Sequence, residues 1–88
     1  MLKQAFSIRF SVSDDPYAVN YHDVQNLGED LMRRLEAERL GTVDNWSVAD
    51  AEIFVSLSSP RHRGRARRLI ERTLTNHAMH DISVITEE

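Results

Sequence analysis

Residues 41–58 read Gly-Thr-Val-Asp-Asn-Trp-Ser-Val-Ala-Asp-Ala-Glu-Ile-Phe-Val-Ser-Leu-Ser. Two strand patterns lie back to back in this stretch. In the second, residues 51–58, Ile53, Val55 and Leu57 alternate with Glu52, Phe54, Ser56 and Ser58, the period of a half-buried strand. The first, residues 42–49, alternates less cleanly through Val43, Trp46 and Val48, and Asp44-Asn45 is placed to form a bulge. Ala49-Asp50-Ala51 is short enough to close the two into a hairpin. The fold turns on what flanks this hairpin.

Upstream, Val24, Leu27, Leu31 and Leu35 form one apolar stripe, widened by Met32, while Glu29, Arg33 and Glu36 lie opposite. That spacing predicts a helix over about 23–40, with Gly41 as its stop. Gly28 falls on the apolar side, where it permits close packing against a sheet. Downstream, Ser59-Pro60 suits a helix start, Ser59 as cap and Pro60 in the first turn. Ala66, Leu69, Ile70 and Leu74 make the buried side of this second helix, which ends near His77 or Ala78. Outside the helices lie two more strands. Phe6, Ile8, Phe10 and Val12 alternate with Ser7, Arg9 and Ser11 over 5–12, before a turn at Ser13-Asp14-Asp15-Pro16 and a polar stretch to about Asn20. The last strand, 81–86, carries Ile82, Val84 and Ile85.

The order β-α-β-β-α-β, with right-handed crossovers, gives an α+β, ferredoxin-like sandwich. It has a four-stranded antiparallel sheet with two helices on one face, in a single domain over 1–88. The other sheet face is expected to show Ser7, Arg9, Ser11, Phe54, Ser56, Ser58 and Ser83.

The segment Gly41-Thr-Val-Asp-Asn-Trp-Ser-Val-Ala-Asp-Ala-Glu-Ile-Phe-Val, within a match over about residues 27–74, resembles small uncharacterised bacterial proteins. In those a helix ends in Gly-x-Val-Asp and an acidic residue precedes an Ile-Phe-Ile-like strand. Trp46 and Val48 stand where that pattern has glycines. The resemblance implies the same order of elements and no activity.

Composition excludes several classes of function. The chain has 88 residues, is 41% hydrophobic and 28% charged, and contains no cysteine, so thiolate chemistry and disulfides are excluded. The start, Met1-Leu2-Lys3-Gln4, has no long apolar run, and no stretch approaches the roughly 20 apolar residues of a membrane span. A cytoplasmic location without membrane attachment is the expectation. Net charge is −3, which argues against a generic nucleic-acid coat.

Charge is nevertheless unevenly placed. Arg61, Arg63, Arg65, Arg67, Arg68 and Arg72 give the segment 61–72 a charge of +5, and the other 76 residues carry −8. On a helical wheel Arg61, Arg65, Arg68 and Arg72 share one stripe opposite Ala66, Ile70 and Leu74. Guanidiniums in such a row bind carboxylates or phosphates bidentately. The competing reading is an ordinary solvated face balanced by Glu29, Asp30 and Glu36 of the first helix.

The remaining candidates are weaker. His77-x2-His80 has a metal-like spacing, but His22 and His62 lie elsewhere and no further ligand matches, so no metal site is expected. Asp44, Asp50 and Glu52 read as a solvated acidic hairpin that discourages strand-to-strand association. Trp46 is either a core plug or an interface anchor, and Phe54 is large for an exposed sheet position. The sheet face lacks the several aromatics of a single-strand nucleic-acid platform. The expectation is therefore a non-enzymatic, cofactor-free module that binds a protein partner, immunity- or antitoxin-like or an adaptor, with a homodimer through the sheet as one form. Its binding residues are Arg61, Arg65, Arg68, Arg72, Phe54 and Trp46. The alternative is an anionic-ligand or nucleic-acid binder using the Arg61–Arg72 helix.

Overall fold

A computed structural model of the chain describes residues 3–11, 21–47 and 51–87. The elements are β1 (Lys3–Phe10), α1 (Tyr21–Ala37), β2 (Gly41–Ser47), β3 (Glu52–Leu57), α2 (Arg63–Asn76) and β4 (Ser83–Glu87), with single 3-10 turns at Pro60–His62 and His80–Ile82. Strand order is β2-β3-β1-β4, and every neighbouring pair is antiparallel. This is the ferredoxin-like α+β arrangement. Alternation in β1 and β3 sends Phe6, Ile8, Phe10, Ile53, Val55 and Leu57 into one core with Val24, Leu27, Leu31 and Leu35 of α1 and Ala66, Leu69, Ile70 and Leu74 of α2. Burying each large apolar side chain contributes about 1.5–3 kcal/mol, so this core is what sets both helices against the sheet.

The expected bulge at Asp44-Asn45 is present, since the β2–β3 register shifts between Val43 and Asn45. A second, between Gln4 and Phe6, leaves Ala5 outside the regular pairing of β1 with β3. Val12, the turn at 13–16, the stretch to Asn20 and most of the 49–51 connection lie outside the described residues.

Three sequence expectations need correction. Gly41 does not stop α1. The helix ends in a Schellman motif, with Leu40 N–H donating to the Leu35 carbonyl and Arg39 N–H to that of Glu36, and the left-handed residue is Arg39 (φ 55°). Gly41 instead opens β2, where a Cβ would run into the Ser56 carbonyl oxygen. The same motif closes α2. Met79 N–H donates to Leu74 and Ala78 N–H to Thr75, with Ala78 left-handed (φ 57°). In both motifs the paired apolar residues, Leu35 with Leu40 and Leu74 with Met79, are buried. A buried contact of that kind outweighs the local strain of a non-glycine residue at φ > 0.

Second, Ser59 makes no side-chain cap. The hydroxyl in use is that of Ser58, which lies 2.9 Å from the Arg39 carbonyl and 3.1 Å from that of Leu40, tying the end of α1 to the start of the second helical segment. Third, Ser83 is not on the outer sheet face. Phe10 pairs with Ser83 and Arg9 with Val84, so Val84 and Thr86 share the outer face with Arg9 and Ser7, while Ile85 sits opposite Ile8 on the core side. The Ile82/Val84 alternation misleads because Ile82 belongs to the preceding 3-10 turn.

Candidate binding site on the second helix

The six arginines of 61–72 divide by what they touch. Arg61 sits on the 3-10 turn, ahead of α2. Arg63 points back to the sheet, its guanidinium 5.5 Å from the centre of the Phe6 ring and 3.5 Å from the Ala5 carbonyl. There it covers the bulge of β1 with a cation–π contact to Phe6. Arg67 pairs with Glu71 at 3.2 Å and with Glu87 of β4 at 3.5 Å. These two are structural.

The other three, Arg65, Arg68 and Arg72, come together. With Glu38 and Leu69 they line an open cleft of about 260 Å³. Their spacing of three and four residues puts them on one face of α2, over about 10 Å of helix axis. Leu69, buried at 5% exposure, is the apolar element among them. Glu38 reaches the cleft because the helices run antiparallel. Asp30 of α1 meets His77, which caps the end of α2, and Glu38, just past α1, meets Arg65 in the first turn of α2. Its carboxylate lies 3.7 Å from the Arg65 guanidinium, and both side chains are largely in water, at 45% and 61% exposure. Exposed pairs at that separation contribute little. Arg61, Arg68 and Arg72 form no ion pair with any described residue.

The acids expected to balance the stripe form no ion pair with it among the described residues. Asp30 accepts from His77 Nε2 (2.9 Å), Arg34 Nε (3.1 Å) and Arg33 (3.1 Å). A carboxylate only accepts, so Nε2 of His77 carries the proton in this bond. The His77 hydrogen bond holds the Asp30 carboxyl below its ordinary range, against the opposing pull of burial and with help from Arg34 and Arg33. Glu29 accepts from Gln25 of its own helix, at 3.5 Å, and Glu36 is exposed. Sequence reasoning missed Glu38, which lies just beyond the end of α1. An antiparallel pairing of the helices would have brought it to light, since that places the end of α1 beside the first turns of α2.

The sheet-side candidates are less exposed than expected. Phe54 is half-buried, and Ser7 and Ser56 beside it are buried. Ser7 donates to Glu52 at 3.0 Å, and Arg9 pairs with the same carboxylate at 3.5 Å. The outer face is thus a polar ladder around one half-covered ring. Val84, at 65%, is the large apolar side chain left exposed among the described residues. Position 46 lies across from Ile53 in the register, and the Trp46 side chain lies outside the described ones. His77 is bound to Asp30, and His80 lies 3.9 Å from Asp81. No three metal-ligating side chains converge among the described residues, and none of the described helices is long and apolar enough to cross a membrane.

No family model, curated protein or solved structure matches the chain. The fold defines the class, a ferredoxin-like α+β domain, and α2 carries on it a cleft lined by three arginines.

Proposed function

We propose that this domain is a non-enzymatic binding module that docks an acidic surface of a protein partner on the Arg65/Arg68/Arg72 face of α2, in the cytoplasm, as an adaptor or an immunity-type binder. One observation carries the reading: three guanidiniums line a cleft that contains a single, loosely held carboxylate. Crowding like charges on one helix face costs about 0.2–0.5 kcal/mol per pair, and an external polyanion relieves that cost. A protein is favoured over nucleic acid because the rest of the chain is acidic and the sheet lacks a stacking platform. Self-association through the sheet has less support, since Phe54 is half-covered by its own chain.

The test uses a fluorescein-labelled peptide of ten glutamates as the acidic probe. The native protein should bind it at low ionic strength and release it as salt rises. Arg68→Gln with Arg72→Gln should weaken binding roughly tenfold, about what two charge contacts supply. Equal binding by the native and doubly substituted proteins would refute the reading.

A further inference from the structure

We infer that Glu38 is a built-in competitor for this cleft, and that a carboxylate-bearing, acidic segment of the partner displaces it from Arg65. This rests on the reading of the cleft as an acidic-protein site and adds to it the chemistry of the ligand and the residue that gates entry.

The chemistry comes from the occupant. The anion seated in the cleft is itself a side-chain carboxylate, 3.7 Å from Arg65. It satisfies one guanidinium and leaves Arg68 and Arg72, in the same lining, without a partner among the described residues. A single point anion cannot serve three guanidiniums spread over about 10 Å of helix axis. Several carboxylates carried along one chain segment can, because side chains on one face of a partner helix or strand recur every 5–7 Å or so.

The gating comes from the backbone. Glu38 is the last residue before the left-handed Arg39. Its N–H donates to the Arg34 carbonyl, and the next two residues are fixed by the Schellman bonds and by the Ser58 hydroxyl. The backbone is anchored while the side chain stays 45% exposed, so the carboxylate is tethered beside the cleft and open to replacement from solvent. An acid at the C-terminal end of a helix is also poorly placed for its own helix, whose last carbonyls are partly negative. Glu38 therefore gains from α2 what it loses on α1, and an incoming carboxylate takes over the same guanidinium.

The experiment measures affinity for the ten-glutamate peptide at low salt in native protein, Glu38→Gln and Glu36→Gln, the last removing the same charge from an exposed site outside the cleft. Glu38→Gln should bind about 2- to 5-fold tighter, the worth of one exposed ion pair, and Glu36→Gln should stay close to native. The gain should vanish in an Arg65→Gln background, because the two residues then no longer couple. Thermal melts confirm that each variant folds. Native binding that Glu38→Gln does not tighten, or equal gains from both Gln variants, overturns the competitor role and leaves the acidic-partner reading standing. No binding by any variant removes both. A ten-nucleotide single strand that outcompetes the peptide at equal charge overturns the assignment of a carboxylate ligand.

Discussion

Two polar clusters lie between α1 and α2, and each sets one carboxylate among three nitrogen-bearing side chains, yet their geometries differ. At one end Asp30 meets His77, Arg34 and Arg33, all between 2.9 and 3.1 Å. At the other Glu38 shares a cleft with Arg65, Arg68 and Arg72, and its reach to Arg65 is 3.7 Å. The residue inventory is nearly the same. The difference is where the acid sits. Asp30 lies within the helix, at 16% exposure, with two arginines one turn ahead on its own element and a histidine from the C-terminal cap of the neighbour. Glu38 lies past the last turn, at 45% exposure, and its three cations all belong to the other helix. Short hydrogen bonds to a part-buried carboxylate stabilise a fold, whereas a loose pair in water leaves its charges available.

The largest expected effect tests the tight cluster. Asp30→Ala removes three charge-assisted hydrogen bonds and should lower stability by about 2 kcal/mol in urea unfolding, since hydrogen bonds to charged groups each contribute about 1.5–3 kcal/mol and part is recovered as Arg33 and Arg34 turn to water. A loss below about 0.5 kcal/mol, the level of an exposed pair, would make the two clusters equivalent and end the contrast.

A smaller effect concerns pH. The Asp30 carboxyl is held below its ordinary value of 3.8, chiefly by His77. A group depressed in the folded state adds stability that is present above its unfolded pKa and is lost as pH falls through the folded one. The stability gap between native protein and Asp30→Asn should therefore be level above about pH 5 and close as pH falls below about 4. A gap that stays constant down to pH 2 would mean that the carboxylate's charge contributes nothing.

How much of this was legible in the residues follows the same division. The alternation of Ile53, Val55 and Leu57 and the stripe of Leu27, Leu31 and Leu35 report burial directly, so the order of elements and the core could be read from spacing. Helix ends could not. Gly41 looked like a stop, but the left-handed position is filled by Arg39, because the buried Leu35–Leu40 contact settles the matter in three dimensions. The stripe itself was readable from helical periodicity, and three of its four arginines share the cleft, while Arg61 falls on the 3-10 turn. Glu38 was not readable, since its meeting with Arg65 depends on how two elements 27 positions apart are docked.

The smallest expected effect is on stability at the cleft, and it is the sharpest check on the comparison. Arg68 and Arg72 bond to no described residue, and their helix already carries other like charges. Replacing both by Gln relieves repulsion between neighbours, worth about 0.2–0.5 kcal/mol per pair, and gives up little beyond the contact of their methylene stems with the surface. The double variant should unfold within about 0.5 kcal/mol of the native protein, on the stable side at low salt, and the difference should shrink as salt screens the repulsion. A loss of about 1 kcal/mol or more would show that these guanidiniums are already engaged inside the fold. The cleft would then be a second structural cluster like that of Asp30, and the motive for assigning it an outside partner would be gone.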